Sequence, residues 1–94
     1  MSQKLSHDEK SHKFIVQSDG FTSELNYEIE GKQINMYRTY VPPEGRGQGI
    51  AQSLAKAALD YAREKKLQVI PSCSYIAVFI ERNSQDQDLL KAKT

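Results

Sequence analysis

The residues whose types and spacing point most clearly to chemistry lie between Val41 and Ala51. This stretch reads Val-Pro-Pro-Glu-Gly-Arg-Gly-Gln-Gly-Ile-Ala and contains three alternating glycines. It follows a strand-like segment and precedes a helix-like one. Because glycines allow left-handed backbone and close approach of a ligand, the free amides of the turn and of the first helical turn can converge on a phosphate. The helix macrodipole adds about half a positive charge there.

Two other phosphate loops fit these residues less well. A Walker loop ends in Gly-Lys-Ser/Thr, whereas Gly49 is followed by Ile50 and Ala51. A dinucleotide fingerprint needs G-x-G-x-x-G in a parallel βαβ unit, but the upstream strands are predicted to be antiparallel. On the loop residues alone, an ordinary glycine turn remains the alternative.

Apolar periodicity predicts the elements that position this loop. Phe21 to Glu30 has apolar residues on odd positions, which is typical of a half-buried strand. A turn at residues 31–32 leads to a second strand, Gln33 to Val41, and Phe14 to Val16 adds a third, so an antiparallel meander is expected. The prolines at 42–43 end the pairing and leave the strand end open.

After Gly49 the pattern changes to the helical period. One apolar stripe contains Ile50, Leu54, Ala57, Ala58 and Tyr61. Leu67 to Ile70 is then a short strand, which is expected to lie parallel to its neighbour because a helix crossover precedes it. Tyr75 to Ile80 is short and rich in β-branched and aromatic residues, so its pattern alone slightly favours a strand.

These motifs, in this order, resemble the short subfamily of the GCN5-related N-acetyltransferases. Arg46-x-x-Gly49-x-Ala51 is similar to the R/Q-x-x-G-x-G/A signature that wraps the pyrophosphate of coenzyme A in that family. The runs around Thr39 and Val69-Ile-Pro-Ser-Cys-Ser-Tyr extend the resemblance to residues 13 to 90. It implies a minimal α+β fold: an antiparallel sheet, a central helix after the phosphate loop, one short parallel strand, and a C-terminal helix capped by Ser74.

The resemblance also implies acetyl-coenzyme A as co-substrate and an unidentified amine as acceptor. The cofactor-binding residues it indicates are Thr39, Tyr40, Val41, Arg46, Gly47, Gln48, Gly49, Ile50 and Ala51. The acetyl group would pass to the amine directly or through Cys73. The alternative is a non-catalytic module that binds coenzyme A or a partner protein, because so short a chain has few residues from which to form a binding site for the acceptor.

Three residues are candidates for catalysis. Cys73 precedes the last element, and the dipole of a helix there would favour the nucleophilic thiolate, although a lone cysteine is often a small buried hydrophobe. Tyr75 could protonate the leaving thiolate, or pack in the core. Arg38 shares the alternation of Ile34 and Met36, which predicts that it faces the core or cleft.

At two positions the sequence departs from the subfamily. Arg38 stands where the subfamily usually has histidine; arginine cannot act as a general base near neutral pH, but it could stabilise an oxyanion or a thiolate. The alternative is an arginine whose stem packs while its head reaches water. Gly45 stands where leucine is common, and should loosen the loop entropically.

Composition limits the remaining classes. The 94 residues suit one domain, predicted over residues 13–90 with a flexible N-terminal tail at 1–12 and a C-terminal tail at 91–94. A net charge of +1 gives no broad field for nucleic acid or a membrane. One cysteine and no long apolar run predict a cytoplasmic chain without a disulfide. A monomer or weak dimer is expected. His7 and His12 lack partners at metal-ligand spacing, so no metal site is predicted.

Overall fold

Alternating apolar residues in the N-terminal half build a sheet, and the later apolar stripes build helices against it. The computed structural model describes residues 3–18 and 20–90. Its strands and helices are β1 (Lys4–Asp8), β2 (Lys13–Ser18), β3 (Phe21–Glu30), β4 (Gln33–Tyr40), α1 (Ile50–Glu64), β5 (Gln68–Ile70) and α2 (Ser74–Arg82). Two 3₁₀ helices complete the list, Pro43–Gly45 before α1 and Ser84–Leu90 after α2.

The strands form one sheet in chain order, β1 to β5. Strands β1 to β4 pair antiparallel, and β5 pairs parallel to β4. The predicted α+β architecture, with its meander, central helix, short parallel strand and C-terminal helix, is therefore confirmed. None of the described helices is long and apolar enough to cross a membrane.

The two faces of the sheet differ. On one face, the helix face, α1 and α2 cover the core side chains, which include Leu25, Tyr27 and Met36. Alanines at 55, 58 and 62 of α1 are fully buried, and their small size lets the helix approach the strands closely. The opposite face, the outer face, carries polar residues such as Glu24, Asn26 and Glu28, as expected for an antiparallel sheet with one solvated side.

The N-terminal segment differs from the prediction. Residues 4–8, expected in a flexible tail, form the edge strand β1 on β2. Register with β2 sets His7 on the helix face, where its ring stacks on Phe14 at 3.9 Å, meets Tyr61 edge-on and hydrogen-bonds with Tyr27. Burial lowers the pKa of His7, which favours the neutral ring. His7 thus packs at a position where an apolar residue is usual. Because residues 4–8 are otherwise polar, their sequence did not predict a strand. The tail predicted at 91–94 lies outside the described residues.

For the segment that forms α2, the family resemblance predicted a helix, whereas the residue pattern slightly favoured a strand. Ser74–Arg82 is a helix, and Ile76 and Ile80 bury one face of it. The predicted cap is wrong by one residue: Cys73 occupies the N-cap position in extended conformation, and Ser74 is the first helical residue. The helix therefore begins directly at the cysteine.

The C-terminus of α1 ends in a Schellman motif. The Leu67 amide donates to the Ala62 carbonyl at 2.8 Å and the Lys66 amide to the Arg63 carbonyl at 3.2 Å. Lys66 takes the left-handed conformation (φ 59°), which favours glycine. This position therefore carries local strain.

Lys66→Gly should raise the free energy of unfolding by up to about 1 kcal/mol, because glycine adopts this conformation without a Cβ clash. Urea denaturation measures the change. Lys66→Ala is the matched control: it removes the same charge but keeps the Cβ, and should bring no such gain. Equal stabilisation by both variants would assign the effect to charge and contradict the prediction.

Candidate functional site

The loop between β4 and α1 owes its shape to two glycines. After the 3₁₀ helix Pro43–Gly45, an irregular turn over residues 46–49 leads into α1 at Ile50. Gly47 and Gly49 adopt left-handed conformations, with φ of 83° and 77°. Most L-residues would be strained there, so glycine is required by the backbone.

The amides of this loop find no acceptor among the described residues. Within residues 3–18 and 20–90, the N–H groups of residues 47 to 52 donate no backbone hydrogen bond. The first amide with a partner is that of Ser53, which donates to the Gly49 carbonyl at 3.0 Å. Gly49 is the N-cap and makes no side-chain cap. The loop and the first turn of α1 therefore present unsatisfied donors at the positive end of the helix dipole, the arrangement that binds anions.

Gly45 has a different role from the other loop glycines. It is buried and has no positive φ, so the expectation of left-handed freedom is corrected here. A Cβ built on Gly45 would lie 2.6 Å from the Phe21 ring and 3.1 Å from the Ile50 side chain. The ring of Phe21 thus lies where a side chain at 45 would go, and packs the loop against β3.

A cavity of about 240 Å³ lies over the loop, and a second of about 280 Å³ lies along the end of β4. Both are lined by Val41, Arg46, Ala51 and Tyr75. The predicted cofactor-binding residues that line one or both are Thr39, Tyr40, Val41, Arg46, Gly47, Gly49, Ile50 and Ala51. Gln48 is the exception, because its side-chain amide donates to the Glu44 carbonyl at 2.9 Å. The structure therefore brings most of the predicted set together.

Arg46 is held at the junction of the two cavities. Its Nε donates to the Val41 carbonyl at 3.2 Å. This bond links the end of β4 to the loop and leaves the remaining guanidinium donors of an exposed side chain for a ligand.

Strands β4 and β5 separate just beside these cavities. Their last paired residues are Asn35 and Ile70, after which the Cys73 amide donates to the Met36 carbonyl at 2.9 Å. Beyond Met36, β4 has no strand partner on this side within the described residues. We call this opening the β4–β5 gap.

A β-bulge reverses the alternation of β4. Tyr27 pairs with Met36 but Asn26 pairs with Arg38, so Tyr37 is an extra residue. Every side chain after the bulge therefore faces the opposite side from the one that period-2 counting predicts. Thr39 faces the helices, and Arg38 lies on the outer face.

The predicted orientation of Arg38 is therefore wrong. Its side chain is half exposed and donates to Glu24 at 2.8 Å and to Asn26 at 2.9 Å. Its guanidinium also lies 5.3 Å from the centre of the Tyr40 ring. The sequence analysis did not predict the bulge. A signal was present, because a charged arginine follows Ile34 and Met36 at what counting by two makes a core-facing position.

Cys73 lies at the gap, behind Thr39. Its Sγ donates to Thr39 Oγ1 at 3.4 Å, and the side chain is partly buried. Cys73 does not line either cavity over the loop, but it contacts Thr39, which does. The bulge is what turns Thr39 toward the cysteine.

Tyr75 lies in the first turn of α2 and is not a core residue. It is 37% exposed, lines both cavities and packs its ring against Phe79 at 6.2 Å. Desolvation raises the pKa of the Tyr75 hydroxyl above its ordinary value. The phenol therefore stays protonated at neutral pH and can donate a proton into the cavity.

Other features of the described residues carry less chemistry. A larger cavity, about 720 Å³, lies between α1, α2 and the second 3₁₀ helix. It touches the loop region only at Gln52, and two of its charged lining residues, Arg63 and Asp86, already form a salt bridge with each other. Among the described side chains no group of three or more His, Cys, Asp or Glu could hold a metal ion. The unpartnered amides therefore mark the loop as the candidate site.

Comparisons with known proteins agree with this geometry. A family model described as GCN5-related N-acetyl-transferase matches residues 13–89. Protein NATD1 of Bos taurus is 39% identical over 89 residues, which cover 92% of this chain and 79% of that protein. Protein NATD1 of Xenopus tropicalis is 37% identical over 91 residues, covering 94% and 84%. The solution structure of a GCN5-like protein from Staphylococcus aureus matches with a TM-score of 0.70 and 26% identity, over 97% of this chain and 90% of that one.

Arg38→Gln should leave the affinity for acetyl-coenzyme A within about twofold of wild type, because the side chain lies on the outer face in an exposed ion pair. The free energy of unfolding should fall by no more than about 1 kcal/mol. Calorimetric titration and urea denaturation measure the two quantities. A loss of affinity of about tenfold or more in a folded variant would return Arg38 to the cofactor site.

Proposed function

The chain belongs to the GCN5-related N-acetyltransferase family, and we propose that it binds acetyl-coenzyme A at the 46–51 loop and transfers the acetyl group to an amine. The observation that carries the proposal is the set of unpartnered amides over residues 47 to 52. A pyrophosphate supplies the acceptors that these donors lack, and the dipole of α1 favours its charge.

The rest of the coenzyme lies along the two cavities over the loop and the end of β4. Arg46 binds the pyrophosphate from the rim, since Val41 holds its Nε and the side chain is exposed. The pantetheine arm runs along Thr39 to Val41, where β4 has no strand partner on the β5 side and its backbone can pair with amide groups. This course brings the thioester to the β4–β5 gap, beside Thr39 and Cys73.

In the direct reaction, an amine that has lost its proton to solvent attacks the thioester carbonyl carbon. A carbon–nitrogen bond forms, the carbon–sulfur bond breaks, and coenzyme A leaves as a thiolate. Tyr75 protonates this thiolate and regains a proton from the nitrogen through water. The raised pKa of Tyr75 keeps its phenol protonated at neutral pH, so the proton is still present when the thiolate leaves.

The second route passes through Cys73. Its sulfur first takes the acetyl group, releasing coenzyme A, and an amine then attacks the acetyl-cysteine and restores the thiol. The position of Cys73 at the N-cap of α2, in contact with Thr39 at the gap, supports this route.

One experiment tests the proposed function as a whole. Acetyl-coenzyme A is titrated into the protein by calorimetry, and acetylation of a panel of amines is then followed by mass spectrometry. Saturable binding with acetylated product supports an acetyltransferase. Binding without transfer to any amine would instead indicate a coenzyme A-binding module, and absence of binding would contradict both.

Gly49→Asp should weaken acetyl-coenzyme A binding by at least about tenfold, or 1.4 kcal/mol, because it places a carboxylate against the pyrophosphate. Gly31→Asp is the matched control: Gly31 also has a positive φ, 60°, but lies in the β3–β4 turn. It should leave the affinity unchanged. A Gly49→Asp protein with native circular dichroism and wild-type affinity would remove the loop from the binding site.

Cys73→Ala distinguishes the two routes: on the route through Cys73 it should bind acetyl-coenzyme A normally but lose transfer by about 100-fold or more, because the acyl acceptor is missing. Wild type should gain one acetyl group that hydroxylamine removes, as a thioester allows. Ser72→Ala, at the neighbouring exposed position, is the control and should keep both properties. Wild-type turnover by Cys73→Ala would establish direct attack and leave Cys73 as a packing residue.

A further inference from the structure

The hydroxyl of Thr39 lies at the β4–β5 gap and takes no part in binding the pyrophosphate or in protonating the thiolate. The bulge at Tyr37 turns this side chain to the helix face, where it is partly buried and lines the cavity of about 280 Å³ along the end of β4. Thr39 pairs with Leu25 of β3, and a strand holds a side chain more precisely than a loop does. A hydroxyl is therefore fixed where the thioester is proposed to lie.

Cys73 is bound to β4 on both sides of the bulge. Its amide donates to the Met36 carbonyl at 2.9 Å, and its Sγ donates to Thr39 Oγ1 at 3.4 Å. Cys73 lines neither of the two cavities at the site, whereas Thr39 lines the one along β4. The thiol thus supports the Thr39 hydroxyl from behind.

The bond from the thiol decides what the Thr39 hydroxyl can do. A hydroxyl has one hydrogen to donate and two lone pairs that accept. One lone pair accepts from the Cys73 thiol, and apart from this bond the hydroxyl has no hydrogen-bond partner within residues 3–18 and 20–90. Its own hydrogen is therefore available to an acceptor in the cavity.

Thr39 of β4 and Tyr75 of α2 line this cavity from two different elements. Two atoms of the thioester gain charge during the reaction: the carbonyl oxygen when the amine adds, and the sulfur when it leaves. The phenol of Tyr75 can transfer its proton to the sulfur. A threonine hydroxyl does not ionise at neutral pH, so it donates a hydrogen bond and keeps its proton. That suits the carbonyl oxygen, which must become a carbonyl again.

We propose that the Thr39 hydroxyl, oriented by the Cys73 thiol, donates a hydrogen bond to the carbonyl oxygen of the acetyl thioester. This inference rests on the proposed function and gives its direct reaction an oxyanion donor. As the amine nitrogen bonds to the carbonyl carbon, an electron pair moves to the oxygen and the bond from Thr39 strengthens. When the carbon–sulfur bond breaks, the pair returns and Thr39 retains its hydrogen. Cys73 is then a positioning residue that remains a thiol.

A ketone analogue of acetyl-coenzyme A, in which a methylene group replaces the sulfur, tests the hydrogen bond without turnover. Its carbonyl carbon is labelled with carbon-13, and the resonance of the bound analogue is recorded. A hydrogen bond polarises the carbonyl and moves this resonance downfield. The wild-type resonance should therefore lie downfield of that in Thr39→Val, and Thr39→Ser should restore it. Thr22→Val, the same change at an exposed threonine of β3, should give the wild-type resonance.

The positioning role of Cys73 is tested with the same analogue. Cys73→Ala removes the donor behind Thr39 and should move the resonance part of the way toward that of Thr39→Val. Cys73→Ser should restore it, because a serine hydroxyl also donates. A wild-type resonance in Cys73→Ala would overturn this role.

Transfer to any amine that the wild type acetylates gives a second measurement. Thr39→Val should lower kcat about 100-fold, as for loss of one oxyanion donor. Its affinity for acetyl-coenzyme A should change little, because the bond strengthens mainly in the transition state. Thr39→Ser should recover most of the kcat.

The outcomes separate this inference from the proposed function. A folded Thr39→Val protein with the wild-type resonance or the wild-type kcat overturns the inference, while its binding of acetyl-coenzyme A leaves the proposed function standing. Absence of acetyl-coenzyme A binding by the wild type overturns both. If Thr39→Val loses its native circular dichroism, Thr39→Ala takes its place with the same expected results.

Discussion

Unpartnered backbone amides at the start of α1 are the feature around which the site is arranged. An α-helix always leaves its first N–H groups without helical acceptors, and here no side-chain cap supplies one. Gly47 and Gly49 shape the preceding turn, and the amides of residues 47 to 52 find no backbone acceptor among the described residues. Their position is fixed by hydrophobic packing, because Ile50 and Leu54 of the same helix are buried against the sheet. Burial of that helical stripe thus holds the polar groups in place.

The bulge at Tyr37 decides which face of the sheet the side chains of Arg38 and Thr39 occupy. Without it, Arg38 would face the helices and bring an unpaired cation into the core, a costly arrangement. With it, Arg38 pairs with Glu24 on the outer face and Thr39 contacts Cys73 on the other. One inserted residue therefore sends Arg38 to the outer face and Thr39 to the face at which we propose that the coenzyme binds. Bulges are frequent next to active sites, where they redirect side chains and bend the strand locally.

Much of the fold could be predicted, because local patterns determine it. Alternation predicted β3 and β4, the helical stripe from Ile50 predicted α1, and the crossover predicted a parallel β5. The loop was predicted because glycines before a helix allow left-handed backbone, which lets the free amides converge. Features that depend on distant contacts could not be found in this way. Strand β1 is polar since it lies at an edge and uses His7 as its anchor, and Gly45 is explained only by the ring of Phe21. The bulge left an apparently regular alternation in the sequence of β4, so Arg38 was given the wrong face.

The most direct test of the account is an amide chemical-shift titration of the protein with coenzyme A. The account predicts saturable shifts centred on the backbone amides of residues 47 to 52, since these donors gain pyrophosphate acceptors, followed by smaller shifts along Thr39 to Val41. Pyrophosphate alone should shift the first group and not the second. Tight binding of coenzyme A with the largest shifts in the cavity between α1 and α2, and none at residues 47 to 52, would contradict the central claim.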